Sequence, residues 1–220
     1  MSVQSINRQV SIPVDQIVLE GDLTIPAGAR SIVIFAHGSG SSRHSPRNRY
    51  VAATLGRDQL ATLLFDLLTP SEEAVDMRTG KLRFDIELLA ERVVAATNWI
   101  AGNTETTSLR VGLFGASTGA AAALVAATRC AQEIGAIVSR GGRPDLAGPA
   151  LPLVQAPTLL IVGGNDFPVI KMNEEALAQL KVEKELAIVP RATHLFEEPG
   201  ALEQVADLAC QWFERHLSKH

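Results

Sequence analysis

Six short apolar runs recur along the chain: SIVIFAH (31–37), ATLLFDL (61–67), LRVGLF (109–114), GAIVS (135–139), TLLIVGG (158–164) and ELAIVP (185–190). None shows the polar–apolar alternation of a half-exposed strand, so each reads as a strand covered on both faces. Covered strands need helices above and below them, and helical patterns fill the gaps. PRNRYVAATLGRD opens on Pro46, a residue suited to a first helical turn. FDIELLAERVVAATNWI places Leu89, Val93, Ala96 and Ile100 on one face, and ALEQVADLACQWFERHL does the same with Leu202, Val205, Ala209, Trp212 and Phe213. At the start, QVSIPVDQIVLE and GDLTIP read as a hairpin turning near Gly21–Asp22. The expectation is an α/β fold with a mostly parallel sheet of about eight strands and right-handed crossovers.

Chain-wide properties narrow the partners. Hydrophobic residues make up 46% and charged residues 20%, enough for a core without staples, and residues 1–220 are expected to form a single domain. A net charge of −4 argues against nucleic acid or an anionic membrane as partner. The first twenty residues lack a basic start followed by an unbroken apolar stretch, so a cytoplasmic protein is expected. Cys130 and Cys210 have no metal-type spacing and read as two buried free thiols. No His/Cys cluster suggests zinc, and neither a dinucleotide fingerprint nor a Gly-Lys-Ser/Thr phosphate loop occurs. LTPSEEAVD, after the second of the six runs, is acidic and reads as a solvated loop.

The segment VGLFGASTGAAAALVAA (111–127) puts two hydroxyls and two glycines at the centre of an apolar stretch. GASTG fits G-x-S-x-G between a strand and a helix, the context in which that pattern makes a sharp turn and lifts a serine above the sheet edge. Side chains at 115 or 119 would strike neighbouring backbone, hence glycine at both. The alanine-rich helix then presents its N-terminus to Ser117.

A serine hydroxyl needs a base, and the base needs an acid to orient it. In this architecture they follow in the order Ser, Asp or Glu, His. Asp166 in GGNDFPV and His194 in RATHLFEEPG each follow a strand in that order. Asp145 in GRPDLAG is the alternative acid. For the oxyanion, the backbone N–H of Thr118 is one donor. A second comes from the loop HGSGSSR, with Ser39 chosen and Gly40 the alternative, while His37 at its head reads as structural.

Together the HG loop, GASTG, GGND and ATHLF resemble the α/β-hydrolase superfamily, and the short chain is similar to its dienelactone hydrolase branch. The likeness runs from about Ile12 to the C-terminal helix. It implies an α/β-hydrolase fold and no cofactor. That branch often uses a cysteine nucleophile; Ser117 in its place moves the expectation toward a serine esterase acting on a small ester, lactone or thioester. An acyltransferase or peptidase on the same triad, or a non-catalytic module of the same fold, are the alternatives.

Only residues 140–157 separate the fourth and fifth runs, leaving no room for a lid domain and predicting an open, shallow pocket. Arginines crowd the loops of this face: Arg43, Arg47, Arg140 and Arg143 are candidates for binding an anionic group of the substrate.

Overall fold

The computed structural model describes residues 5–218; the first residues of the opening segment lie outside it. Eight strands form one sheet in the order β1-β2-β4-β3-β5-β6-β7-β8. They are β1 (Ile6–Val14), β2 (Ile17–Ile25), β3 (Ser31–Ala36), β4 (Ala61–Phe65), β5 (Arg110–Ala116), β6 (Ile134–Arg140), β7 (Thr158–Gly163) and β8 (Lys184–Val189). β1 and β2 pair antiparallel with each other and β2 antiparallel with β4, while β4 through β8 run parallel.

The opening hairpin forms, but its turn is not at Gly21–Asp22. Val14 pairs with Ile17, so the chain reverses through Asp15–Gln16, where Asp15 takes the positive φ of 49° that a tight hairpin turn demands. Gly21 instead lies within β2, where an added Cβ would sit 3.2 Å from both Leu63 and Val10.

Alternate residues of each buried strand face opposite layers. Ile32 and Ile34 of β3 pack toward α3 (Ile86–Gly102) and α4 (Thr118–Arg129), whereas Val33 and Phe35 pack toward α1 (Pro46–Arg57) and α6 (Ala201–Leu217). The predicted face of α3, Leu89, Val93, Ala96 and Ile100, is buried. α4 is buried from Thr118 to Ala127, because its alanines let it lie close against β3 and β5.

Three segments absent from the sequence expectation complete the fold. The acidic stretch read as a loop is helix α2 (Pro70–Thr79), started by Pro70 and by a reciprocal pair of bonds between Thr69 and Glu72. A 3-10 turn, Leu82–Phe84, follows it. Pro144–Leu153 makes short 3-10 turns kinked at Gly148. Helix α5 (Phe167–Gln179) starts directly after Asp166. Among the described residues no helix is long and apolar enough to cross a membrane.

Candidate active site

At the C-terminal edge of the parallel strands, Ser117 joins β5 to α4 with φ 50° and ψ −123°. A non-glycine residue there is strained, at a cost of order 1–3 kcal/mol, and persists only where its surroundings impose it. They do so by crowding. A Cβ on Gly115 would lie 2.4 Å from Ala120 Cα, and one on Gly119 would lie 2.3 Å from the Ala36 carbonyl oxygen. Ser117 occupies the N-cap position of α4 yet makes no cap hydrogen bond, so its hydroxyl is not committed to the helix.

Asp166 and His194 meet by the stitching of two strand ends. The Gly164 N–H donates to Val189 carbonyl and the Asn165 N–H to Ala192 carbonyl, binding the β7 and β8 loops together. Gly163 permits this approach, since a Cβ there would stand 2.5 Å from the Ala192 oxygen. On the histidine loop, Arg191 and Phe196 take positive φ of 65° and 56°, and buried Phe196 anchors the turn in the α1/α6 layer. His194 Nδ1 then lies 2.7 Å from Asp166 Oδ2, with the carboxylate as acceptor. In a neutral imidazole so bonded, Nε2 is the nitrogen without a proton. Ser117 and His194 line one cavity of about 190 Å³, without a direct hydrogen bond between them. Asp145, the alternative acid, is instead held by both ends of the Arg143 fork, at 2.9 and 2.7 Å.

The HG loop is fixed by His37. Its Nδ1–H donates to Gly38 carbonyl at 3.0 Å, and its Nε2 accepts the Leu67 N–H at 3.0 Å. Burial holds this imidazole below its ordinary pKa and therefore neutral, as the two bonds require. The Gly38 carbonyl also accepts the Ser41 N–H. Because C=O and N–H of a trans peptide point in opposite directions, fastening that carbonyl turns the Ser39 N–H the other way. The N–H groups of Ser39 and Thr118 have no protein acceptor among the described residues. Their side chains touch: Ser39 Oγ lies 2.9 Å from Thr118 Oγ1 and donates to Arg83 carbonyl at 3.3 Å. Nothing in the pattern of the sequence links Ser39 to Arg83.

The four candidate arginines divide in two. Arg43 pairs with Asp66 and approaches Asp22, and Arg143 is bound to Asp145, so local carboxylates already satisfy both. Arg47 and Arg140 line the cavity that holds Ser117 and His194. Arg47 reaches exposed Glu197 at 3.3 Å. Arg140 is 6% exposed and meets no carboxylate among the described residues; it donates to Asn48 Oδ1 at 3.1 Å and stands over the Phe196 ring. Burial, and to a lesser degree the Arg47 charge, lowers its pKa to about 10.

A second cavity, of about 490 Å³, adjoins the first along Gly38, Ser39, Ser41, Ser45 and Arg47. Glu73, Asp76 and Met77 of α2, with Arg83 of the turn after it, line one side of this chamber. The only sequence signal for that wall was Thr-Pro-Ser-Glu at 69–72, a capping box. Away from this edge, Asp58, Cys210 and Glu214 bring three ligand-type atoms within 4.8 Å. Burial, reinforced by a bond to Asp58, pushes the Cys210 thiol well up, so it stays protonated and donates to that carboxylate. Cys130 and Cys210 are both free and buried.

The dienelactone hydrolase family model matches residues 51–218. The crystal structure of a dienelactone hydrolase from Anabaena variabilis is 61% identical and superposes with a TM-score of 0.96, covering 98% of this chain and 100% of that one. A Mycobacterium tuberculosis protein named as a phosphoribosyl transferase is 57% identical over 211 residues, 96% of this chain and 47% of its own. The chain thus spans about half the length of the curated relatives it matches. Est1E from Butyrivibrio proteoclasticus, 16% identical with a TM-score of 0.80 over 96% of this chain and 99% of its own, shares the fold.

Proposed function

The chain belongs to the dienelactone hydrolase family, and on that premise we propose that it is a serine hydrolase of small ester-type bonds, with Ser117, His194 and Asp166 as its catalytic residues. The observation that carries this reading is the 2.7 Å bond from His194 Nδ1 to Asp166 beside a serine held at φ 50°. Ser117 Oγ attacks the substrate carbonyl while His194 Nε2 takes its proton; that hydrogen bond closes when the substrate is seated. The negative charge moves to the carbonyl oxygen, where the Thr118 and Ser39 N–H groups receive it. As the C–O bond to the alcohol breaks, His194 returns the proton to the departing oxygen, leaving an acyl-serine. Water, deprotonated by His194, then releases the acid and restores Ser117. Asp166 stays ionised throughout and stabilises the imidazolium.

Arg140 defines the preferred substrate. A buried guanidinium without a carboxylate is costly, and it sits in the cavity that holds the nucleophile. With Arg47 it receives an anionic group of the substrate. The transferase activity in the names of the Mycobacterium tuberculosis relatives describes proteins about twice as long and plays no part in this reading.

Labelling by a fluorophosphonate should occur at Ser117 and vanish in Ser117→Ala, with rate falling by several orders of magnitude. An active Ser117→Ala enzyme refutes the assignment. For the anionic preference, esters with the same acyl half and either a neutral or a carboxylate-bearing alcohol half are compared; equal rates end it.

A further inference from the structure

The two cavities on either side of the Ser39 loop are unequal in size and in chemistry. The smaller, about 190 Å³, holds Ser117, His194 and Arg140. The larger, about 490 Å³, contains Ser39 and Thr118 but neither Ser117 nor His194. We infer that the larger chamber receives the acyl half of the substrate and selects a neutral acyl chain of medium length, while the smaller one confines the alcohol half. The inference rests on the hydrolase reading above.

Proton transfer decides which half goes where. His194 must hand its proton to the departing oxygen, so the alcohol lies in the chamber that His194 lines. The carbonyl oxygen points to Ser39 and Thr118. The fourth substituent of the tetrahedral carbon, the acyl chain, is left with the space beyond those two residues.

The lining of that space suits a neutral chain. Leu67, Leu68 and Leu89 are buried and give it an apolar wall, and Met77 of α2 supplies an unbranched, adaptable side chain at the mouth. Glu73, also on α2, faces the chamber with no cationic partner among the described residues. Burial and the neighbouring Asp66 and Asp76 raise its pKa. An anionic chain end would add one more negative charge beside it. The two arginines here do not offset this. Arg83 is occupied by Asp76 at 2.5 Å, and Arg47 sits on the border with the smaller chamber, where it reaches Glu197.

Two ester series test the assignment: methyl esters of acetate, hexanoate, octanoate and monoadipate, and acetate esters of methanol and hexanol. Methyl hexanoate should exceed methyl acetate in kcat/KM by at least tenfold, and hexyl acetate should gain nothing over methyl acetate. Monomethyl adipate, the carboxylate analogue of the hexanoate, should fall at least tenfold below it. Glu73→Gln should narrow that last ratio, and Met77→Trp should move the chain-length optimum toward acetate; both folds are verified by thermal melting. A gain for hexyl acetate without one for methyl hexanoate overturns the inference, as does adipate turned over as fast as hexanoate. Turnover of no ester overturns it too, and labelling of Ser117 by a fluorophosphonate then decides whether the hydrolase reading stands.

Discussion

The turn at Ser117 and the cap formed by residues 70–84 are bridged by Ser39, whose hydroxyl touches Thr118 and the Arg83 carbonyl, yet different physics holds each in place. Around Ser117 the backbone is clamped by near-contact packing: glycines at 115 and 119, and a helix whose first ten residues are buried. The cap has little apolar anchorage. Within α2 only Asp76 is buried, and polar clasps do the fastening: Arg83 to Asp76, Arg92 to Glu72, and Ser39 Oγ to Arg83 carbonyl. Steric crowding gives one allowed position for a nucleophile. Polar clasps, each resting on a single charged or hydrogen-bonded pair, make the cap the less firmly anchored of the two regions.

The sharpest way to break the rigid side is Gly119→Ala. The added methyl would lie 2.3 Å from Ala36 oxygen and 2.4 Å from His37 oxygen, both of them backbone and neither free to rotate away. Overpacking of this kind costs more than about 3 kcal/mol when the obstacle is backbone. Denaturant unfolding should show that loss, together with collapse of activity, because the same backbone carries the oxyanion loop. A Gly119→Ala protein with unchanged stability would mean the turn is far looser than its contacts imply.

Asp76→Asn acts on the other side and should produce a smaller, local effect. Burial pushes the Asp76 carboxyl up, but hydrogen bonds from Arg83 and Leu82 outweigh this and hold it below the ordinary carboxylate range. A carboxyl depressed in the folded state stabilises above its unfolded pKa and loses that contribution as pH falls through the folded value. The cap should therefore loosen on acidification below the usual carboxylate range and hold firm at neutral pH. In Asp76→Asn, amide exchange should rise across residues 70–84 at neutral pH and stay unchanged in α4. Exchange that rises equally in both would erase the contrast between the two regions.

How much of each region was legible in the sequence follows from the same contrast. The turn at Ser117 announces itself because crowding demands glycine at fixed positions and an alanine-rich helix behind them. Five of the six apolar runs are equally plain, since burial on both faces requires continuous apolar residues; the sixth, ELAIVP, forms β8 at the sheet edge, where only Val189 is buried and the expected cover on both faces is absent. The hairpin turn was misplaced because Gly21 looks like a turn residue, whereas its smallness serves packing against Leu63 and Val10. The cap was hidden because it depends on single ion pairs between Asp76, Arg83, Glu72 and Arg92, which leave no period in the sequence. Arginine counting found the charged loops but could not separate Arg43 and Arg143, satisfied by neighbouring carboxylates, from Arg140, satisfied by none.

Arg140 yields the smallest expected effect and the most pointed one, because it sets function against stability on the rigid side. Its pKa is lowered to about 10, so the folded protein disfavours its charge. Below that value the charged guanidinium is carried at a cost, and stability should recover only as pH rises beyond about 10. By the free energy per pKa unit the cost at neutral pH is at most about 3 kcal/mol. Arg140→Met removes the charge but strands Asn48 Oδ1, which gives back part of the gain. The net expectation is a melting temperature higher by roughly 2–4 °C, with loss of any preference for carboxylate-bearing esters. A buried charge that destabilises its own fold and faces the nucleophile has a reason to be there only if a ligand completes it. If Arg140→Met melted lower than the parent while keeping the anionic preference, Arg140 would be a strut of the β6 edge, and the anion would bind elsewhere.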